Sequence, residues 1–254
     1  MTSPLHGGGA RPGPRRIALG LVAGILCAAV AASAWLPETS RIANAVAKSN
    51  REAGRARTIR LEVELRFEGD PEIAATGVLW SDPEGSSRLE LVSPKGFIER
   101  HLVRGRRAEA SRDGQLLETA RHFLPPYFLL QTSSASALTN RLLELGVRTG
   151  QAELGYEGEH DCYVIGGRAA PPSLWVDSDA FGVVRFDSAE GASYRFGPAL
   201  EADGLTVPAW FEVRQEGEPM ARLAVLSAGT ATVAPEGFAP GWLRRGPARS
   251  GQMP

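Results

Sequence analysis

Between Thr58 and Glu68 the chain alternates without interruption. Ile59, Leu61, Val63, Leu65 and Phe67 are apolar, while Arg60, Glu62, Glu64, Arg66 and Glu68 are all charged. Side chains along an extended strand point to opposite faces in turn, so this is one long β-strand with an apolar side and a charged side. The charged side has to meet water. The sheet is therefore covered on one face only, which favours antiparallel pairing over a parallel sheet buried between helices.

Further apolar runs bounded by turn residues follow at short intervals. Ala75–Ser81 precedes Asp82-Pro83-Glu84-Gly85, Ser87–Val92 ends at Pro94-Lys95-Gly96, and Phe97–Val103 and Arg107–Ser111 flank turns at Gly105 and Asp113-Gly114. These read as hairpin strands. The rhythm then breaks. From His122 to Leu145 the apolar residues cluster as Phe123, Leu124, Tyr127–Leu130, Leu138, Leu142, Leu143 and Leu145 around a polar stretch. Two short helices are predicted there, with Pro125 and Pro126 in the first turn of one and Gly146 ending the other. Strands resume at Gly150–Tyr156, Asp161–Ile165, Ser173–Asp177, Val183–Asp187, Ala192–Phe196, Ala209–Gln215 and Ala221–Ser227. Ahead of them all, Thr39–Arg55 carries a helical stripe at Ile42, Val46 and Ala53, with Thr39 or Ser40 as its cap.

The fold class is mainly β with helices (α+β), a curved antiparallel half-barrel of about eleven strands with a helical lid. The helices at 39–55 and 122–145 are the available covers for the concave side. Such a scaffold either fills its interior with side chains or leaves a ligand cavity.

Composition enters as a set of exclusions. Lys and Arg number 28 against 29 Asp and Glu, a formal net charge of −1, so the basic surplus of a general nucleic-acid binder is missing. Two cysteines in 254 residues exclude a disulfide scaffold and a cysteine-built zinc site. Residues 1–34 hold Arg11, Arg15 and Arg16 and no acid; an apolar run from Ile17 follows and closes on Ala32-Ser33-Ala34. This predicts a secretory signal peptide over 1–34, cleaved before Trp35; an uncleaved inner-membrane anchor at 17–34 is the alternative. Leu26 before Cys27 and the flanks of Arg15-Arg16 argue against a lipidated cysteine and a twin-arginine signal. Residues 35–239 form the folded domain, and 240–254 are expected to be a disordered tail on which Trp242 and Leu243 are the residues able to dock. In the cleaved chain Cys162 is the one thiol, expected to be buried and inert on a strand.

No catalytic constellation emerges. His101, His122 and His160 are scattered, and no G-x-S-x-G, phosphate loop or dinucleotide fingerprint occurs. In Glu157-Gly-Glu-His160-Asp-Cys162 the His and Cys share a strand face, but no second pair completes a metal site. The chain is accordingly expected to be no enzyme, with no cofactor and no metal.

The order of elements over residues 40–238 resembles the periplasmic lipoprotein-carrier superfamily typified by LolA. The resemblance rests on the opening helix with strand 59–67; Gly77-Val-Leu-Trp80 closing on Asp82-Pro83; the Asp113-Gly114 turn; Cys162-Tyr-Val-Ile; and Leu174-Trp-Val-Asp177 with Val183-Val-Arg185. The hairpin around Cys162 is also similar to that of the periplasmic regulators of envelope-stress sigma factors. The resemblance implies a monomer in the periplasm binding a lipid or lipoprotein acyl group, with envelope membrane proteins as further partners. Exposing an acyl chain to water costs about 0.8 kcal/mol per CH₂, so a carrier needs an apolar container. The candidate lining is Ile59, Leu61, Val63, Leu65 and Phe67, with Leu79, Leu89 and Leu91 at matching parity and Phe128, Leu138 and Leu142 from the lid. Open space is expected beside Val63. Carriers of the type subgroup place a lid-latching Arg where this chain has Asp82, and a carboxylate cannot donate those hydrogen bonds. A lid held by apolar contact of Phe128 and Leu142 follows from that departure; a plain turn role for Asp82 is the alternative. A sensing or interaction domain with a filled core remains the other reading of the whole chain.

Overall fold

A computed structural model describes residues 36–245 apart from 217 and 219; the signal peptide expected over 1–34 and the chain from 246 onward lie outside the described residues. Helix α1 (Thr39–Glu52) leads into β1 (Ile59–Phe67), β2 (Ala75–Asp82), β3 (Ser86–Val92), β4 (Ile98–Arg104), β5 (Arg107–Arg112) and the short β6 (Gln115–Leu116). A 3₁₀ turn (Tyr127–Leu130) and α2 (Ala135–Glu144) follow. Then come β7 (Ala152–Glu157), β8 (His160–Ile165), β9 (Ser173–Asp177), β10 (Val183–Asp187), β11 (Ala192–Phe196), β12 (Ala199–Ala202), β13 (Leu205–Pro208), β14 (Trp210–Gln215) and β15 (Ala221–Thr230).

Thirteen strands form one open antiparallel sheet in the order β6-β5-β4-β3-β2-β1-β15-β14-β11-β10-β9-β8-β7. Strand β1 sits inside it, paired with β2 on one side and, across a bulge at Glu62/Val63, with β15 on the other. Turns from the two halves approach one another: Arg106, between β4 and β5, lies 4.0 Å from Glu190, between β10 and β11. The sheet is thus curled into the expected half-barrel. Asp113 and Gly114 join β5 to β6 with φ of 51° and 85°, the left-handed pair that a two-residue type I′ turn demands.

The alternation of β1 fixes which face is buried. Ile59, Leu61, Val63 and Leu65 point into the core, and Arg60, Glu62 and Glu64 stay partly in water. Burying each aliphatic side chain contributes roughly 1.5–3 kcal/mol. Helix α1 turns Ile42, Ala43, Val46, Ala47 and Asn50 onto the same concave side, beside α2 with Leu138 and Leu142. Its first turn has no side-chain cap, since Glu38 and neither Thr39 nor Ser40 stands at the boundary. Ser134 caps α2 by accepting from the Ala137 amide at 3.2 Å.

Two features depart from the sequence expectations. The β12–β13 hairpin stands outside the main sheet, turning at Asp203-Gly204 with φ of 49° and 71°. The expected disordered tail is folded as far as Arg245. Two 3₁₀ turns, Pro235–Phe238 and Pro240–Arg244, lie on the convex face, where Phe238, Trp242 and Leu243 bury Leu102 beside Trp80. Arg88 is held among Trp80, Trp242 and Phe238, with its guanidinium 4.3, 5.1 and 5.6 Å from their ring centres, and donates to the Gly237 carbonyl at 2.8 Å. Cation–π contact and apolar burial together fasten this strap. Among the described residues no helix is long and apolar enough to cross a membrane.

Candidate functional site

Every candidate lining residue but one lies in a single buried cluster: Ile59, Leu61, Val63, Leu65, Leu79, Leu89, Leu91, Phe128, Leu138 and Leu142. Phe67 packs against it from the end of β1. Strand parity thus places these strand side chains on one buried face. The open space expected beside Val63 is not there, because Val63, Leu61, Leu79 and Leu89 have no accessible surface. The 3₁₀ turn packs against β2 and β3 within the same buried cluster. Where two short helices were expected, the first is a 3₁₀ turn, and all four of its residues, Tyr127, Phe128, Leu129 and Leu130, are at most 1% exposed. A helix would leave one face outside; this short turn is enclosed on all sides and plugs the half-barrel.

Open apolar surface survives at the mouth, where β1 and β3 end. A cleft of about 450 Å³ is bordered there by Leu65, Phe67, Leu91, Ile73, Phe97 and Phe123. Ile73 and Phe97 are 38% and 52% exposed, unusual for side chains of that size. Both sit on connections between strands, since the strand expected from Phe97 begins one residue later, at Ile98. Arg121, Lys95, Arg112, Asp70, Glu72 and Glu99 also border it. Arg112 Nη2 donates to Glu99 Oε2 at 3.0 Å. His101 Nε2 approaches Glu99 Oε1 to 3.1 Å, off the line of a good hydrogen bond. Burial pushes the Glu99 carboxyl up, and the attraction of His101 and Arg112 outweighs it, so that it titrates at about 2.

The lid is held by directed hydrogen bonds from groups other than residue 82. Asn50 Nδ2 donates to the carbonyls of Leu129 and Thr132 at 3.1 and 3.0 Å. Gln131 Nε2 donates to those of Arg57 and Ser81 at 2.8 and 3.2 Å. Arg51 donates to the Ser133 carbonyl and Arg141 to that of Glu84. The expectation of a purely apolar lid contact is corrected accordingly. Phe128 and Leu142 supply burial, while Asn50 and Gln131 supply direction, and their buried partners would be costly to leave unmet. Asp82 Oδ1 accepts from the Glu84 amide at 2.7 Å and Oδ2 from the Thr58 hydroxyl at 3.0 Å, a turn role.

The titratable residues singled out in the sequence are dispersed. His160 and Cys162 share the convex face, as expected, with His160 Nδ1 2.7 Å from Asp177 Oδ2. Cys162 is buried beside Val164 and Trp175, and burial raises its thiol to about 11, which keeps it protonated and unreactive. His101 packs edge-on against Phe123 inside the half-barrel. His122 borders a separate small pocket with Tyr194 and Glu190. Among the described residues no group of three His, Cys, Asp or Glu is placed to hold a metal ion.

No family model matches the sequence, and no curated protein does. Solved structures do match. An outer membrane lipoprotein-sorting protein domain from Vibrio parahaemolyticus aligns with a TM-score of 0.49 and 8% identity over 79% of this chain and 97% of its own. A LolA superfamily protein from Nitrosomonas europaea aligns with a TM-score of 0.43 and 13% identity over 77% of this chain and 97% of its own. The MucA/MucB complex of Pseudomonas aeruginosa aligns with a TM-score of 0.30 and 16% identity over 85% of this chain and 66% of that one. In fold the chain is similar to these proteins. The likeness is one of fold alone, and what the site does has to be argued from its residues.

Proposed function

We propose that this protein is a non-catalytic component of the bacterial envelope, exported to the periplasm, that binds a lipid or lipoprotein acyl group. The mouth cleft of about 450 Å³ carries the reading: it continues the apolar face of β1 and β3 outward through Leu65, Phe67 and Leu91, and its walls Ile73 and Phe97 remain exposed. Its volume falls within the roughly 300–1,000 Å³ of small-molecule sites. The rim cations Lys95 and Arg121 suit the anionic head of an amphiphile whose tail enters between the aromatic rings. Deeper entry requires the Tyr127–Leu130 plug to move, against the hydrogen bonds of Asn50 and Gln131.

A second reading has its own observation. The filled interior around Leu61 and Val63 favours a sensing or interaction domain that uses the same scaffold without a cargo. Mass spectrometry of lipid co-purified with the native protein, together with titration of a fluorescent fatty acyl probe, separates the two. Bound lipid and probe binding abolished by Phe97→Asp support the cleft. A lipid-free protein that takes up no probe leaves the interaction domain.

A further inference from the structure

A cleft of about 650 Å³ opens where the C-terminal end of α1 meets the β12–β13 hairpin and the turns that follow β7 and β9. Each carboxylate on its wall already has a basic side chain of the protein beside it. Glu157 lies 2.8 Å from Arg185 and 2.7 Å from Arg195, Asp177 is 2.7 Å from His160, Glu52 is 3.7 Å from Lys48, and Glu212 pairs with Arg222.

Arg55, on the same wall, breaks this pattern. It is only 8% exposed, and among the described residues no carboxylate lies within ion-pair distance of it. Its Nη2 donates to Asn50 Oδ1 at 3.0 Å, and its buried Nε meets no acceptor. A guanidinium stays charged at every pH a protein survives, and an unpaired buried charge is strongly destabilising. Burial lowers its proton affinity, with Tyr127 acting weakly the other way. Tyr127 does not balance the charge. Its hydroxyl is buried without a partner, and burial raises its pKa, so the ring stays neutral. The carbonyls at the end of α1 offer partial negative charge only. A water molecule would satisfy Nε and leave the charge as it was.

We propose that Arg55 anchors a second binding site, in which an oxyanion, the carboxylate or phosphate of a small ligand, pairs with its guanidinium. The fork of Arg donors matches such groups bidentately. Phe196, Val207 and Trp210 on the same wall give the apolar body of that ligand a surface. The oxyanion arrives either on a free metabolite or as a lipid headgroup.

The test titrates inorganic phosphate and, separately, acetate into the ¹⁵N-labelled full chain at constant ionic strength, following the Arg55 Nε–H resonance and the melting temperature. A saturable shift of that resonance with a rise in melting temperature is expected for at least one anion. Arg55→Met should abolish the anion-dependent rise. Sedimentation with phosphatidylglycerol vesicles, against phosphatidylcholine vesicles, separates the sources. Arg55-dependent sedimentation on the anionic vesicles assigns a headgroup, and saturation without sedimentation assigns a free anion. The proposal is overturned if neither anion shifts the resonance saturably and the vesicles are not bound. It is also overturned if both effects persist in Arg55→Met. Should that variant fail to fold, the parent's titration still decides.

Discussion

Asp82 accepts one hydrogen bond from the Glu84 amide, two residues on, and one from Thr58 on the neighbouring strand. Both are local, and neither reaches the lid. Asp82→Arg should therefore lower stability by about 1 kcal/mol, the cost of a lost turn bond, and leave the release rate of an acyl probe unchanged in stopped-flow measurements. A slower release would mean that residue 82 acts on the lid after all. The turn was legible in the sequence, since Asp-Pro is a favoured start of a turn. The true lid bonds were not: Asn50 meets acceptors 79 and 82 positions away, and nothing in a lone Asn on a helix announces such partners. Glu99 makes a second residue-scale prediction. Its carboxyl titrates at about 2 against an ordinary 4.5, so the native state favours the ionised form. The stabilisation is present above pH 4.5 and fades as pH falls toward 2. Its size is on the order of 2–3 kcal/mol, from the shift and the near burial of the side chain. Arg112 from β5 and His101 from β4 are the groups that face it, with Arg121 on the same rim. Acid titration of urea unfolding should show a shallower slope in Glu99→Gln than in the parent over that interval.

The strands were readable because each repeats its signal every second residue and is bounded by Gly, Pro or Asp. The hairpin at Asp203-Gly204 carried the same turn dipeptide as Asp113-Gly114, and only its four-residue arms hid it. The strap at 235–244 offered no period at all. Two apolar residues in a Pro- and Gly-rich stretch look like a loose tail until the convex face presents Leu102 and the Arg88 guanidinium to them. Trp242, 5% exposed and also 5.7 Å from the Arg100 guanidinium, should be costly to truncate: Trp242→Ala is expected to lose about 3 kcal/mol in urea unfolding. A loss under about 0.5 kcal/mol, the range of ordinary surface substitutions, would show that the strap is not docked in solution. The first strand sets the opposite limit. Val63→Trp forces an indole into a position with no accessible space, and should destabilise by at least about 1–3 kcal/mol, with non-folding as the extreme. Unchanged stability would require a void beside Val63.

Taken whole, the half-barrel has a packed middle and one open apolar end. Phe97→Asp at that end should cut affinity for a fluorescent acyl probe at least tenfold and change stability by less than about 1 kcal/mol, because its ring is half exposed. Equal affinity in parent and variant would place the probe elsewhere. The sheet order has a separate consequence. Strands β1 to β6 are laid down outward from the centre and β7 to β15 return inward, so the first and last strands become neighbours at the seam, Ile59 opposite Thr230. Each wing is a run of pairings between strands near in sequence, which close quickly, whereas the seam joins almost the entire length of the domain and is the slow contact to make. A chain still emerging from a ribosome lacks β15, and until it arrives β1 keeps one edge bare. Completion of the sheet is thereby deferred until β15 has been made, and a chain that still lacks it stays unlocked.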